Sequence, residues 1–198
     1  MSADDVLHPG RRSIRLKSRD YSAPGAYFLT ICTHNRRYLF SKVTDLGMEL
    51  TALGHIVYEN WIGLPSHFTH VNLHAFVVMP NHVHGLIEIV YQPGAQHAAP
   101  LQRVQCGMGE LRALEPGSLS AVVRSFKAAV TKRAREELSW RSEIWQRNYF
   151  ERIVRDGQEF SDAARYIAEN PEKWKWDSEN LNGSEPLSKP KQAQWVGT

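Results

Sequence analysis

Two hydrophobic periods run along this chain, and the switches between them mark out its elements. Ala26-Tyr27-Phe28-Leu29-Thr30-Ile31-Cys32-Thr33 is β-branched and aromatic, which predicts a buried strand. Val43 to Leu50 predicts a short hairpin around Asp45-Leu46-Gly47. Leu53, Ile56, Val57 and Trp61 recur at spacings of three and four, predicting a helix over residues 51–62 that Gly63 and Pro65 end. Val71 to Val78 and His82 to Val90 read as two strands separated at Pro80-Asn81. A longer helix, capped by Ser118 or Ser120 and running to about Leu138, buries Val123, Phe126, Val130 and Ala134. Residues 144–154 predict a last strand with its lead-in. Asp156 followed by Glu159 has the form of a capping box. It starts a helix with Phe160, Ala163, Ala164 and Ile167 on the buried side, and Pro171 is expected to end it near Asn170. The order strand, helix, strand, strand opens a ferredoxin-like α+β sandwich: a central antiparallel sheet with helices packed on one face.

The remaining stretches lack a period. Residues 1–20 are polar and end basic, with Arg11, Arg12, Arg15, Lys17 and Arg19, and read as a tail suited to phosphates. Residues 91–117 are broken by Pro93, Gly94, Pro100, Gly107, Gly109, Pro116 and Gly117, and read as a flexible insertion in a single domain spanning 21–174. Residues 175–198 are polar and read as a second tail. The chain has 198 residues, 42% of them apolar, which is enough for one real core. A net charge of +3 suits a polyanion without requiring one. Two cysteines, Cys32 and Cys106, form no disulfide framework and fit no zinc motif with each other. With no signal peptide and no run long enough to span a bilayer, a cytoplasmic protein is expected, with no membrane partner.

Chemistry gathers at Met79-Pro80-Asn81-His82-Val83-His84-Gly85-Leu86. On a strand, alternate side chains share a face, so His82 and His84 point together toward a site and Val83 points to the core. That arrangement offers two imidazoles to one ion. The second concentration is a stripe of one sign on the long helix, Arg124, Lys127, Thr131 and Arg135, with Lys132 and Arg133 beside it and no acidic residue before Glu136. Solvated helix faces mix signs, so this stripe points to phosphate. Arg36 and Arg37 in the loop after the first strand, and Arg147 with Tyr149 near the last, are further candidate contacts, the aromatic ring for unpaired bases. Tyr166 and Asn170 lie one helical turn apart and share a face.

In this order, His82-Val83-His84, the basic helix, Trp145-Gln146-Arg147-Asn148-Tyr149 and Tyr166-Ile167-Ala168-Glu169-Asn170-Pro171 resemble the single-tyrosine HUH transposases, and most of all the REP-associated tyrosine transposases. The resemblance runs from about Tyr21 to Trp174. It implies the HUH endonuclease fold with the histidine pair on a central strand. It implies a metal-dependent endonuclease and strand transferase that cuts single-stranded DNA near hairpins. Tyr166 takes the place of the nucleophile, forming a 5′-phosphotyrosine, and His82, His84 and Asn170 take the place of the metal ligands. Asn170 stands where the wider family has Gln, and its shorter reach weakens the case for direct ligation. Mg²⁺ is the ion the family implies, and imidazole nitrogens make Mn²⁺ a ready substitute. Single-stranded or hairpin DNA is the expected partner, and the resemblance leaves monomer or homodimer open. Tyr149 is the rival nucleophile. Two other readings stay in view: a non-catalytic nucleic-acid-binding regulator on the same fold, and a zinc site that mixes the histidine pair with Cys32 or His34.

Overall fold

The computed structural model describes residues 24–44, 47–90, 117–177 and 179–180. The basic tail 1–20, nearly all of the insertion 91–117 and the chain beyond Asn180 lie outside the described residues.

The strands and helices form in the predicted order, with α2 as an additional single turn: β1 (Gly25–Cys32), β2 (Ser41–Thr44), β3 (Gly47–Leu50), α1 (Ala52–Ile62), α2 (Leu64–His67), β4 (Val71–Val78), β5 (His82–Ile89), α3 (Leu119–Leu138), β6 (Phe150–Val154) and α4 (Gly157–Lys173). β2 and β3 make the separate hairpin, and the other four strands form one sheet in the order β4-β5-β1-β6. Every neighbouring pair in that sheet is antiparallel. With α1 carrying the chain from β1 to β4, and α3 carrying it from β5 to β6, this is the ferredoxin-like α+β topology. β5 and β1 are the central strands.

The helices start where the sequence provides caps. The Thr51 hydroxyl accepts from Gly54 N–H, and Ser118 accepts from Ala121 N–H. At α4, Asp156 accepts from Glu159 N–H, and the Glu159 carboxylate reaches back to Arg155 N–H, a capping box set one residue early. Pro171 does not stop α4, which runs on to Lys173. Proline removes one N–H donor and crowds the carbonyl four residues back; α4 nevertheless continues two residues past it before the chain tightens into a 3-10 turn at Trp174–Trp176.

The sheet is covered on both faces rather than one. α1 and α3 close the larger core, in which Leu29 and Ile31 of β1, Val83 and Ile87 of β5, Trp61 of α1 and Phe126 of α3 are buried. α4 lies on the opposite face, where Leu86, Ala163 and Ile167 form a smaller cluster with Phe28 and Val77. Two covered faces are possible because β1 is apolar at nearly every position and β5 carries Leu86 on one face and Val83, Ile87 and Ile89 on the other, as strands covered on both sides do. A bulge between Leu73 and Phe76 lets β4 follow the same split, since both of those residues turn to the larger core. No helix among the described residues is long and apolar enough to cross a membrane.

Trp61 packs flat against β5. A Cβ added to Gly85 would lie 2.3 Å from the Trp61 ring, and Trp61 is held from the other side by Phe76, stacked at 4.4 Å. Gly85→Ala is therefore expected to lower the unfolding free energy by about 1–3 kcal/mol, the usual cost of overpacking a core, as read by denaturant melts. An unchanged midpoint would mean that Trp61 moves aside freely.

Candidate metal and nucleophile site

Alternation on β5 does what the sequence predicts. Val83 is buried in the larger core, while His82 and His84 face α4, 0% and 3% exposed. Their register neighbours on β1 are Cys32 and Thr30. The two Nε2 atoms lie 3.0 Å apart. His82 Nδ1 is 2.9 Å from Asn81 Oδ1, and His84 Nδ1 is 2.9 Å from the Thr30 hydroxyl. The Asn81 amide nitrogen is engaged by two carbonyls, Arg36 O at 3.3 Å and Glu179 O at 2.6 Å. Its oxygen must then face His82, so His82 carries its proton on Nδ1 and presents a bare Nε2 lone pair to His84. Burial pushes both rings far down, His84 to about 3, and for His82 the neighbouring His84 and Arg36 add to the effect. The pair is neutral at physiological pH, the state in which imidazole binds metal.

A carboxylate completes the pocket, with a buried amide beside it. Past α4 the chain turns at Trp174, which is buried with its ring 6.0 Å from that of His82. Asp177 follows, its side chain 2% exposed and its Oδ2 4.0 Å from His82 Nε2. Asp177 Oδ1 accepts from Glu179 N–H at 2.7 Å, but Oδ2 is buried without a hydrogen-bond partner. Asn170 Oδ1, from α4, is likewise buried and unpartnered. Burial lifts the Asp177 carboxyl to about 6, with Asn170 and Arg36 partly offsetting the rise.

These residues fit a divalent cation. Donors at right angles around an ion about 2.1 Å away sit about 3.0 Å apart, which matches the two Nε2 atoms. His82, His84 and Asp177 hold ligand atoms within 4.8 Å of one another, the one such cluster among the described residues. A buried carboxylate oxygen without a donor is costly unless something positive meets it. Sequence reasoning missed Asp177, because its surroundings have the composition of a polar tail. The available signal was its place three residues after Trp174, a ring large enough to pin that segment to the sheet.

Tyr166 stands at the mouth of this pocket. Its ring centroid is 5.3 Å from that of His84 and 5.9 Å from that of Phe28. The side chain remains 42% exposed and so within reach of a large substrate. Its phenol is nevertheless pushed up to about 12, by burial first and then by the Asp177 carboxylate, with the Asn170 amide offsetting part. Tyr149 is elsewhere: it packs on the core of α1 and α3, 3.3 Å from the Ser120 hydroxyl, on the other side of the sheet.

The basic residues divide into engaged and free. Arg36 is ion-paired with Glu179, and Arg37 donates to the carbonyls of Glu143 and His34. Lys127 donates to the carbonyls of Gln146 and Asn148, and burial lowers its ammonium to about 8. These three tie loops together. Arg133, beside the stripe, clamps Glu137 of its own helix and Glu59 of α1. Arg124, Arg135 and Arg147 are exposed and have no acidic partner among the described residues, while Lys132 has only a loose contact with Glu136 at 4.0 Å. Lys132, Arg135, Trp145 and Arg147 line an open groove of about 670 Å³ between α3 and the lead-in to β6. His34 pairs with Glu143 at 3.1 Å and stands outside the histidine cluster, so it supports no mixed zinc site.

The fold and pocket together define an antiparallel α+β protein with a buried His–His–Asp constellation. No protein-family model matches the chain. It is 40% identical over 167 residues to an uncharacterized protein of Haemophilus influenzae, covering 84% of this chain and 91% of that one. The chain belongs to the family of that protein. Its fold is that of a solved REP-associated tyrosine transposase bound to a REP hairpin, with a TM-score of 0.53 and 21% identity over 80% of this chain and 73% of the other.

The buried rings set the acid limit of the metal-free protein. Each folded-state value lies below the unfolded value of about 6.5, so the unfolded chain binds protons first as pH falls. The rings' contribution is therefore intact above about pH 6.5 and is lost toward pH 3, by up to about 1.4 kcal/mol per pH unit for each ring, while the raised Asp177 carboxyl, which binds its proton first in the folded chain, offsets part of that loss below about pH 6. Thermal melts in chelator from pH 8 to pH 5 should show a falling Tm, with a shallower fall for His84→Asn. A Tm that holds or rises on acidification would contradict neutral burial of the pair.

Proposed function

We propose that this protein is a metal-dependent endonuclease and strand transferase acting on single-stranded or hairpin DNA, with Tyr166 as nucleophile. The observation that carries the reading is the meeting of the Tyr166 ring with His84 at 5.3 Å, at the edge of a pocket with two neutral imidazoles and a buried, unpartnered carboxylate oxygen. A hydrolase needs only to place water; a phenol beside such a pocket suits covalent capture of a phosphate. His82, His84 and Asp177 would hold the ion, with Asn170 Oδ1 close enough in character to join them. Mg²⁺ is the proposed ion in cells, and the two nitrogen donors favour Mn²⁺ as a substitute. When bound, such an ion withdraws charge from the phosphate and eases ionisation of a neighbouring phenol.

The protein's own residues supply the rest. Tyr166 loses its phenol proton to water and attacks phosphorus in line; the bond to the 3′ oxygen breaks, and that oxygen takes a proton from water, leaving a 5′-phosphotyrosine and a free 3′-OH. The linkage keeps the ester's energy, so a 3′-OH of another strand can reverse the step, and transfer rather than hydrolysis results. Because burial and Asp177 oppose the phenolate, the metal-free protein should be inert at neutral pH. Tyr166 and the histidine pair lie in the same chain, so a monomer suffices. The solved transposase of like fold is bound to a REP hairpin, and the groove of Lys132, Arg135, Trp145 and Arg147 suits phosphates with a stacking ring. Arg124 extends the same basic side of α3.

Incubation with hairpin DNA and Mn²⁺ is expected to give a protein–DNA adduct that survives denaturant, with wild type and with Tyr149→Phe. Tyr166→Phe and His84→Ala should give none. An adduct with Tyr166→Phe would move the nucleophile elsewhere. Hairpin binding without any adduct would favour a non-catalytic regulator. Separately, Arg135→Ala and Arg147→Ala should weaken hairpin binding and lower the salt slope by about one unit for each phosphate left without its cation. Unchanged slopes would remove the groove from the DNA path.

A further inference from the structure

Asn81 is fully buried, yet each of its polar groups is used. Its oxygen accepts from His82 Nδ1–H at 2.9 Å. Its amide nitrogen donates to Glu179 O at 2.6 Å and to Arg36 O at 3.3 Å. Its backbone carbonyl accepts from Thr33 N–H at 2.9 Å, fixing it at the entrance to β5. One side chain thus joins the first histidine of the pair to two segments remote in sequence. Glu179 lies two residues past Asp177, and its N–H holds Asp177 Oδ1 at 2.7 Å, the hydrogen bond that leaves Oδ2 turned toward His82. Arg36 stands in the left-handed region at φ 54, beside Asn35 at φ 53, a conformation unfavourable for a non-glycine residue unless its surroundings hold it.

We propose that Asn81 is the positioning residue of the metal pocket: it locks the His82 ring in the tautomer with the proton on Nδ1 and seats the segment that delivers the Asp177 carboxylate. The inference rests on the metal reading above. A ring that places its proton on Nε2 has no lone pair there for an ion, so any population of that tautomer weakens binding. Glutamine would carry the same groups but is one methylene longer, too long for three partners already at bonding distance. Aspartate keeps the acceptor for Nδ1–H and loses both donors. Leucine, of similar volume, can make none of the three hydrogen bonds.

These differences give a test that does not depend on DNA cleavage. ¹⁵N NMR of the imidazoles in chelator-treated protein distinguishes the two ring nitrogens, and titration with Mn²⁺ alone gives the affinity. Wild type and Asn81→Asp should both show His82 protonated on Nδ1. Asn81→Leu should show a mixture of tautomers and bind Mn²⁺ about ten- to hundredfold more weakly, the usual effect of removing a hydrogen-bond partner from a ligating histidine. Wild-type or Asn81→Asp protein with His82 protonated on Nε2 would overturn the proposal, as would Asn81→Leu protein that is folded and binds Mn²⁺ within about twofold of wild type. If Asn81→Leu fails to fold, the Asn81→Asp spectrum still decides. Wild type that shows the Nδ1 proton but binds no Mn²⁺ would instead sink the metal reading, and the positioning role with it.

Discussion

Two buried imidazoles whose Nε2 atoms are held 3.0 Å apart are the constraint around which this molecule is built. Neither ring is basic enough in that setting to take a proton at neutral pH. Beside them stand a carboxylate oxygen and an amide oxygen, each buried and without a donor. A cation met by the two imidazole nitrogens and the Asp177 carboxylate would draw all three together. The three come from two separate pieces of chain, β5 and the turn after α4, and α4 brings the Asn170 amide beside the carboxylate.

What makes the holding possible is the two-sided sheet. The central position of β5 gives it partners on both edges, β4 and β1, so its backbone is fixed in register. Val83 and Ile87 anchor its far face in the larger core, and the absence of a side chain at Gly85 lets Trp61 press directly on the backbone between them. The near face is then rigid enough to present imidazoles. α4 crosses that face on Ile167 and Ala163, and the same helix carries Tyr166 and Asn170 on a neighbouring side. Phenol and amide are thus placed by the packing of two small apolar residues, one turn of helix apart.

Much of this was legible in the chain, because it depends on period and on caps. Alternation in His82-Val83-His84 gives the facing of the pair, and the spacing of three and four gives the buried sides of α1, α3 and α4. What was not legible depends on contacts between distant residues. The helices were expected on one face, since short apolar runs do not say how many sides they bury. Pro171 was expected to stop α4, which runs two residues past it. Arg36, Arg37 and Lys127 read as phosphate contacts, and the carbonyls and carboxylate they also engage, on residues 143, 146, 148 and 179, are too far away in sequence to be read. Asp177 hid in a stretch whose composition is that of a tail, and Asn81 looked like a turn residue.

The most direct trial of the shared-cation account is a crystal of the protein soaked in Mn²⁺ and measured at a wavelength where manganese scatters anomalously. The account predicts a single strong anomalous peak within about 2.0–2.3 Å of His82 Nε2 and His84 Nε2, with an Asp177 oxygen in the same shell. A map with no peak there, and with the two imidazoles instead hydrogen-bonded to each other through a proton, would contradict it.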